Sequence, residues 1–156
     1  MKNRIIIISL ISLILLVGCE LRKNSITSTD FNKVLIDKDY ILTNVSKNFK
    51  DYENVNEAFI AQDETKTYQI EFYSFNTKDN TNNFFNNNVK QFKDNKNIEV
   101  SESEEGLNYK FYKQNTLSKY SVISCVDNTC LYANVPLSKE EEINKILEKF
   151  NYWNII

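Results

Sequence analysis

Apolar residues follow two patterns along this chain. Residues 5–17 form a nearly continuous apolar run, broken only by Ser9 and Ser12, and nothing like it recurs afterwards. Beyond it, apolar positions recur every second residue or at three- and four-residue spacing, the periods of strands and amphipathic helices. Ser28 or Thr29 is placed to cap a short helix in which Phe31, Val34 and Leu35 share one face. A β-prone segment over 40–45 follows, then two strands over 55–60 and 67–75 joined by a polar turn. In the second strand Tyr68, Ile70 and Phe72 alternate with Gln69, Glu71 and Tyr73. The spacing of Phe85, Val89 and Phe92 predicts a helix over 78–96. Its Asn-rich outer face is a poor helix former, so packing must hold it.

The second half continues in the same way. Residues 101–106 read as an acidic turn whose spacing matches no EF-hand calcium loop. Leu107, Tyr109 and Phe111 alternate with Asn108, Lys110 and Tyr112 in a further strand, and 120–126 and 129–135 form a hairpin around Asp127-Asn128. A two-residue turn there sets Val126 against Thr129 and Cys125 against Cys130, a pair within disulfide range. The same register gathers Tyr120, Val122, Leu131, Ala133 and Val135 on one face, the expected core side. Ser138-Lys139-Glu140-Glu141 reads as a capping box opening a last helix with Ile143, Ile146, Leu147 and Phe150 on one stripe. The tail from Tyr152 is expected to pack on the domain, contact of Trp153 with a membrane surface being the alternative. This order of elements indicates an α+β fold: a single antiparallel sheet of about five to six strands with helices packed on one face, in one domain over 28–156.

Lys2 and Arg4 precede the long apolar run, and Gly18 and Cys19 close it. A basic start, a core of that length and a small residue at the cut make a secretory signal peptide, too short for a comfortable membrane span. Within it, Leu16-Val17-Gly18-Cys19 resembles the lipobox of bacterial lipoproteins. That resemblance implies a diacylglyceryl group on the Cys19 thiol, removal of residues 1–18, and anchoring on the outer, extracytoplasmic face of the cell membrane. Two acyl chains hold a protein there stably where one would not. Residues 19–27 then become the lipidated cysteine and its tether. Fully extended, 20–27 reaches roughly 28 Å, enough to lift a domain clear of the head groups. An exported domain also meets a compartment in which a Cys125–Cys130 disulfide persists. Free thiols or a redox pair are the alternatives, although redox centres favour Cys-x-x-Cys.

Charge and composition narrow the function further. The formal net charge is −2, and losing Lys2 and Arg4 with the leader makes the remainder more acidic, which argues against nucleic acid. The chain has no histidine, which removes Ser-His-Asp, Cys-His and histidine-based zinc chemistry. No Ser-x-x-Lys occurs, and Gly106 is the sole glycine beyond the leader, too few for a phosphate-binding loop. No cofactor or metal is called for. Two function classes survive. The favoured one is a non-enzymatic binding domain at the cell envelope, taking an envelope protein, a peptide (a bacteriocin, in an immunity-type role) or a wall polymer. The other is a carboxylate-dependent cell-wall or glycoside hydrolase using Glu71 with Glu102, Glu104 and Glu105. If helices cover only one sheet face, the other exposes Tyr73, Lys110, Tyr112 and Tyr132, a mixture that suits recognition. Cys19→Ser is expected to abolish fatty-acid labelling and leave the precursor uncleaved on a gel; undiminished label would remove the anchor.

Overall fold

The computed structural model describes residues 22–49, 54–95 and 97–153; the leader and Cys19 lie outside these residues, as do 154–156. Helix α1 (Ser28–Ile36) leads into a three-strand meander, β1 (Ile41–Asn44), β2 (Val55–Gln62) and β3 (Gln69–Phe75). Helix α2 (Lys78–Lys93) then crosses to the far edge. A four-strand meander returns from there: β4 (Ile98–Glu105), β5 (Tyr109–Thr116), β6 (Lys119–Val126) and β7 (Thr129–Pro136). Helix α3 (Glu140–Lys149) closes the described chain. All strands join one antiparallel sheet in the order β1-β2-β3-β7-β6-β5-β4. Going from β3 to β4 means crossing four inter-strand steps, about 19 Å. The 16 residues of α2 span about 24 Å, so a helix of this length suits the crossover.

The α+β class with one antiparallel sheet is as expected, but there are seven strands rather than five or six. The additional strand is β4, expected as an acidic turn over 101–106. It is an edge strand with nearly every residue exposed, so it carries no apolar alternation to betray it. Its charges lie on the sheet edge, where they discourage pairing with another chain. Glu102 reaches Lys113 at 3.0 Å and Glu105 reaches Lys110 at 3.2 Å, both on β5.

Helices cover both faces of the sheet, which corrects the one-face expectation. Over the first face, α1 and α3 bury Phe31, Leu35, Ile143, Ile146 and Leu147 against Ile70, Phe72, Phe111, Tyr120, Val122 and Leu131. Phe31 stacks between Phe72 at 5.5 Å and Phe150 at 6.2 Å. The tail packs here as expected for its described part: Tyr152 and Trp153 are buried, and Trp153 lies parallel to Phe111 at 5.9 Å. Over the second face, α2 buries Phe85 and Phe92 against Tyr73, Phe75, Tyr112, Ile123 and the two cysteines. Gln114, itself buried, donates from Nε2 to the Phe92 carbonyl at 2.8 Å and thereby satisfies a C-terminal carbonyl of α2.

Helix starts differ from the sequence reading in two places. Thr27, not Ser28 or Thr29, caps α1: its hydroxyl accepts from the Asp30 amide at 3.2 Å, and Asp30 accepts from the Thr27 amide at 2.9 Å. Ser138 caps nothing. A short 3-10 turn over Leu137–Lys139 precedes α3, whose first turn instead places Glu140, Glu141 and Glu142 at the positive end of the helix dipole. The polar segment ahead of α1 is also not a free tether through residue 27. The Ile26 amide donates to Tyr152 Oη at 3.2 Å, and Lys23 is held by Asn108.

The β6–β7 hairpin has the expected register. Val126 pairs with Thr129 across Asp127-Asn128, with Asp127 in the left-handed region at φ 49°, and Cys125 faces Cys130 at a Cα separation of 4.0 Å. The two sulfurs form a disulfide, buried under α2. Replacing both cysteines by alanine is expected to lower stability by about 2 to 3 kcal/mol, combining the entropy of a short closed loop with lost packing, as read by urea unfolding. A change below about 0.5 kcal/mol would show that the hairpin does not depend on the bond.

Candidate functional site

The residues singled out for an open binding face do not share one environment. Tyr73 is buried between Phe84, 4.7 Å away between ring centroids, and Phe49 at 5.7 Å. Tyr112 is buried beside Phe92 at 6.3 Å. Both belong to the core that α2 covers, which corrects their assignment to solvent. Lys110 keeps its head group at the surface in the ion pair with Glu105, while its ammonium lies 6.0 Å from the Phe85 ring centroid. Of the three tyrosines only Tyr132 remains half-exposed, at the C-terminal edge of α2, with its ring 5.5 Å from Phe92.

Beyond that edge the second face opens again. Period-two alternation sends Gln69 and Glu71 of β3, and Tyr132 and Asn134 of β7, to the same side. With Gln62 and Lys119 they line a recess of about 330 Å³, within the range of small-ligand pockets. Gln62 Nε2 donates to Gln69 Oε1 at 3.3 Å, and Gln69 Nε2 donates to Glu71 Oε1 at 2.7 Å. The Tyr73 hydroxyl donates to the other Glu71 oxygen from the core side. Burial, reinforced by the Glu71 charge, pushes the phenols of Tyr73 and Tyr132 up, so both stay protonated donors near neutral pH. The recess thus offers three amides, the Tyr132 phenol, the Glu71 carboxylate and the exposed Lys119 ammonium, with Lys66, Thr67 and Tyr68 completing its rim. It is equipped to hydrogen-bond a polar partner, and it holds no serine, cysteine or histidine nucleophile.

The wall behind this recess is tied down by a polar cluster on the first face. Tyr40 and Tyr68 each donate to Glu142 Oε1 at 2.7 Å, their hydroxyls lie 3.1 Å apart, and Lys139 Nζ donates to Glu142 Oε2 at 3.1 Å. The Lys139 ammonium also lies 4.6 Å over the Tyr68 ring. Four residues from three separate parts of the chain therefore hold the start of α3 to the β2–β3 hairpin that carries Gln62 and Gln69. Burial alone would raise the Glu142 carboxyl, but the hydrogen bonds from Tyr40, Tyr68 and Lys139 outweigh it and hold the group below its usual value.

A second polar constellation sits at the opposite end of the strands. Asn108, in the β4–β5 turn, accepts the Lys23 amide on Oδ1 at 3.0 Å and donates from Nδ2 to the Lys23 carbonyl at 2.8 Å. Asn108 Nδ2 also donates to Asp127 Oδ2 at 2.8 Å, which fixes the amide's orientation. The Lys23 side chain is buried, with Nζ 4.5 Å over the Tyr109 ring and no hydrogen-bond partner among the described residues. Burial pushes this ammonium down, opposed by the charge of Glu104, which accepts the Tyr109 hydroxyl. Gly106 is required where it is, since a Cβ there would lie 2.1 Å from the Tyr109 ring. Sequence reasoning placed Asn108 on an open sheet face and had no signal for this clamp, because Lys23 lies 85 residues away.

The carboxylates suggested for hydrolysis do not converge. Glu71 on β3 and the acidic residues of β4 are separated by four inter-strand steps, about 19 Å, against roughly 5 to 9.5 Å for glycosidase pairs. Among the described residues, no three of His, Cys, Asp and Glu are grouped to hold a metal ion, and no helix is long and apolar enough to cross a membrane. Comparison with protein-family models, with curated proteins and with solved structures finds no match to this chain.

Because the folded-state Glu142 value is depressed, the stability it contributes is present above its usual value of 4.5 and is lost as pH falls through the lowered one. Glu142→Gln is therefore expected to destabilise the protein at neutral pH and much less in acid, read by urea midpoints at the two conditions. An equal loss at both would mean that the charge on Glu142 contributes nothing.

Proposed function

We propose that this chain is a lipid-anchored extracytoplasmic protein that binds a polar partner at the cell envelope without catalysis. The observation that carries the binding half is the recess beyond α2. It gathers amides, phenols and charges of both signs from four strands and holds no serine, cysteine or histidine. The lipobox resemblance at Cys19 supports the anchor half. Gln62, Gln69 and Asn134 supply both donors and acceptors, which suits the neutral hydrogen-bonding backbone of a peptide or glycan better than a highly charged polymer. Of the residues first assigned to recognition, Tyr132 keeps that role. Tyr73 supports it indirectly by fixing Glu71, and Tyr112 and Lys110 drop out because α2 lies over one and Glu105 pairs with the other.

A benzophenone side chain in place of Tyr132 or of Lys119, in intact cells, is expected to give one discrete adduct, whose mass distinguishes a protein from a glycan. The same probe at Lys145, on the exposed side of α3 over the other face, is expected to give none. Equal adducts from Lys145, or none from the recess positions, would remove the recess as the binding surface.

A further inference from the structure

The clamp on Lys23 determines which end of the domain an anchored chain would present to the membrane. Lys23 is the fourth residue after Cys19, so the covalent path between them spans at most about 14 Å. The chain leaves the clamp at the end of the sheet that carries the β4–β5 and β6–β7 turns, because Asn108 belongs to the first and bonds Asp127 of the second. Leu107, at the tip of the β4–β5 turn, is 70% exposed. Lys78 donates to the Leu107 carbonyl at 3.2 Å, and Arg22 is exposed beside the clamp. Neither cation has an acidic partner among the described residues. An apolar tip flanked by these two cations, with Glu104, Glu105 and Asp127 of the same end engaged by Tyr109, Lys110 and Asn108, is suited to the head-group region of a bilayer. The recess lies at the other end of the strands, about 26 Å away along the eight residues of β5, farther than the leash can reach.

We propose that Asn108 orients the domain on the membrane: by gripping Lys23 close behind the acylated Cys19, it seats the β4–β5 turn and Leu107 on the lipid surface and turns the recess outward. This rests on the lipid-anchor reading above. It replaces a flexible tether of nine residues, which would leave the domain free to tumble, with one of four. The occupant of the Leu107 end is the lipid surface itself, because the chain that leads to the anchor departs from that end.

The test uses the full-length protein, expressed and purified from membranes with acylation checked by mass, in vesicles of phosphatidylcholine and phosphatidylglycerol that carry a head-group nitroxide. A fluorophore is placed on Leu107→Cys or, at the opposite end, on Leu117→Cys. The nitroxide is expected to quench the label at 107 several-fold more than the label at 117. Asn108→Ala is expected to bring the two toward equality. Lys23→Pro, which removes the amide that Asn108 accepts without altering any residue of the sheet, is expected to do the same. Equal quenching in the acylated parent protein, stronger quenching at 117, or a ratio unmoved by both variants would overturn the orientation while leaving the anchor intact. Absence of acyl mass on Cys19 would instead overturn the anchor and this inference with it.

Discussion

A seven-stranded antiparallel sheet has two faces to cover, and the second is covered by α2, the helix least able to form alone. Asparagines fill much of its outer side, and its Thr77 cap and Gln114-bonded end satisfy only some of its terminal groups. What holds it is Phe84, Phe85, Val89 and Phe92 pressed onto Tyr73, Phe75, Tyr112, Ile123 and the disulfide. The dependence runs both ways. Without α2, those tyrosines and the Cys125–Cys130 bond would face water; without that apolar face, α2 would not persist. The crossover of the chain from β3 to β4 exists only because this contact does.

From that contact follows the division of the molecule into two unlike ends. Helix α2 stops short of the β2–β3 hairpin and of the far parts of β6 and β7, so the second face closes over its middle and reopens as a recess. Glu142 braces the hairpin from the other side through Tyr40 and Tyr68, so the recess is shaped by groups on both faces of the sheet. At the opposite end the turns are drawn together by Asn108, Asp127 and Lys23. The proposed roles of the two ends, outward recognition and membrane seating, are thus separated by the length of the strands.

Local periodicity made much of this legible in the sequence. The helical spacing of Phe31, Val34 and Leu35, of Phe85, Val89 and Phe92, and of Ile143, Ile146, Leu147 and Phe150 located all three helices. β-propensity and alternation located six of the seven strands, and alternation put Tyr73, Tyr112, Ile123 and Tyr132 on one face, where they are. The error concerned what that face meets. Tyrosine suits both a wet surface and a buried one, so its presence could not say whether a helix lies above. Strand β4 escaped because its side chains are exposed on both sides of an edge, which leaves no apolar signature.

The sequence by itself determined the short-range features: the helix stripes, the alternation of strands, and the Cys125–Cys130 register set by a two-residue turn. These depend on neighbours within a few residues, where the periods of helix and strand act. Only the tertiary structure decided which side of the sheet α2 would take, that Glu71 would stand far from the acidic residues of β4, and that Asn108 would grip Lys23. Each of those is a meeting of surfaces remote along the chain, and no local period records which remote surface a residue will meet.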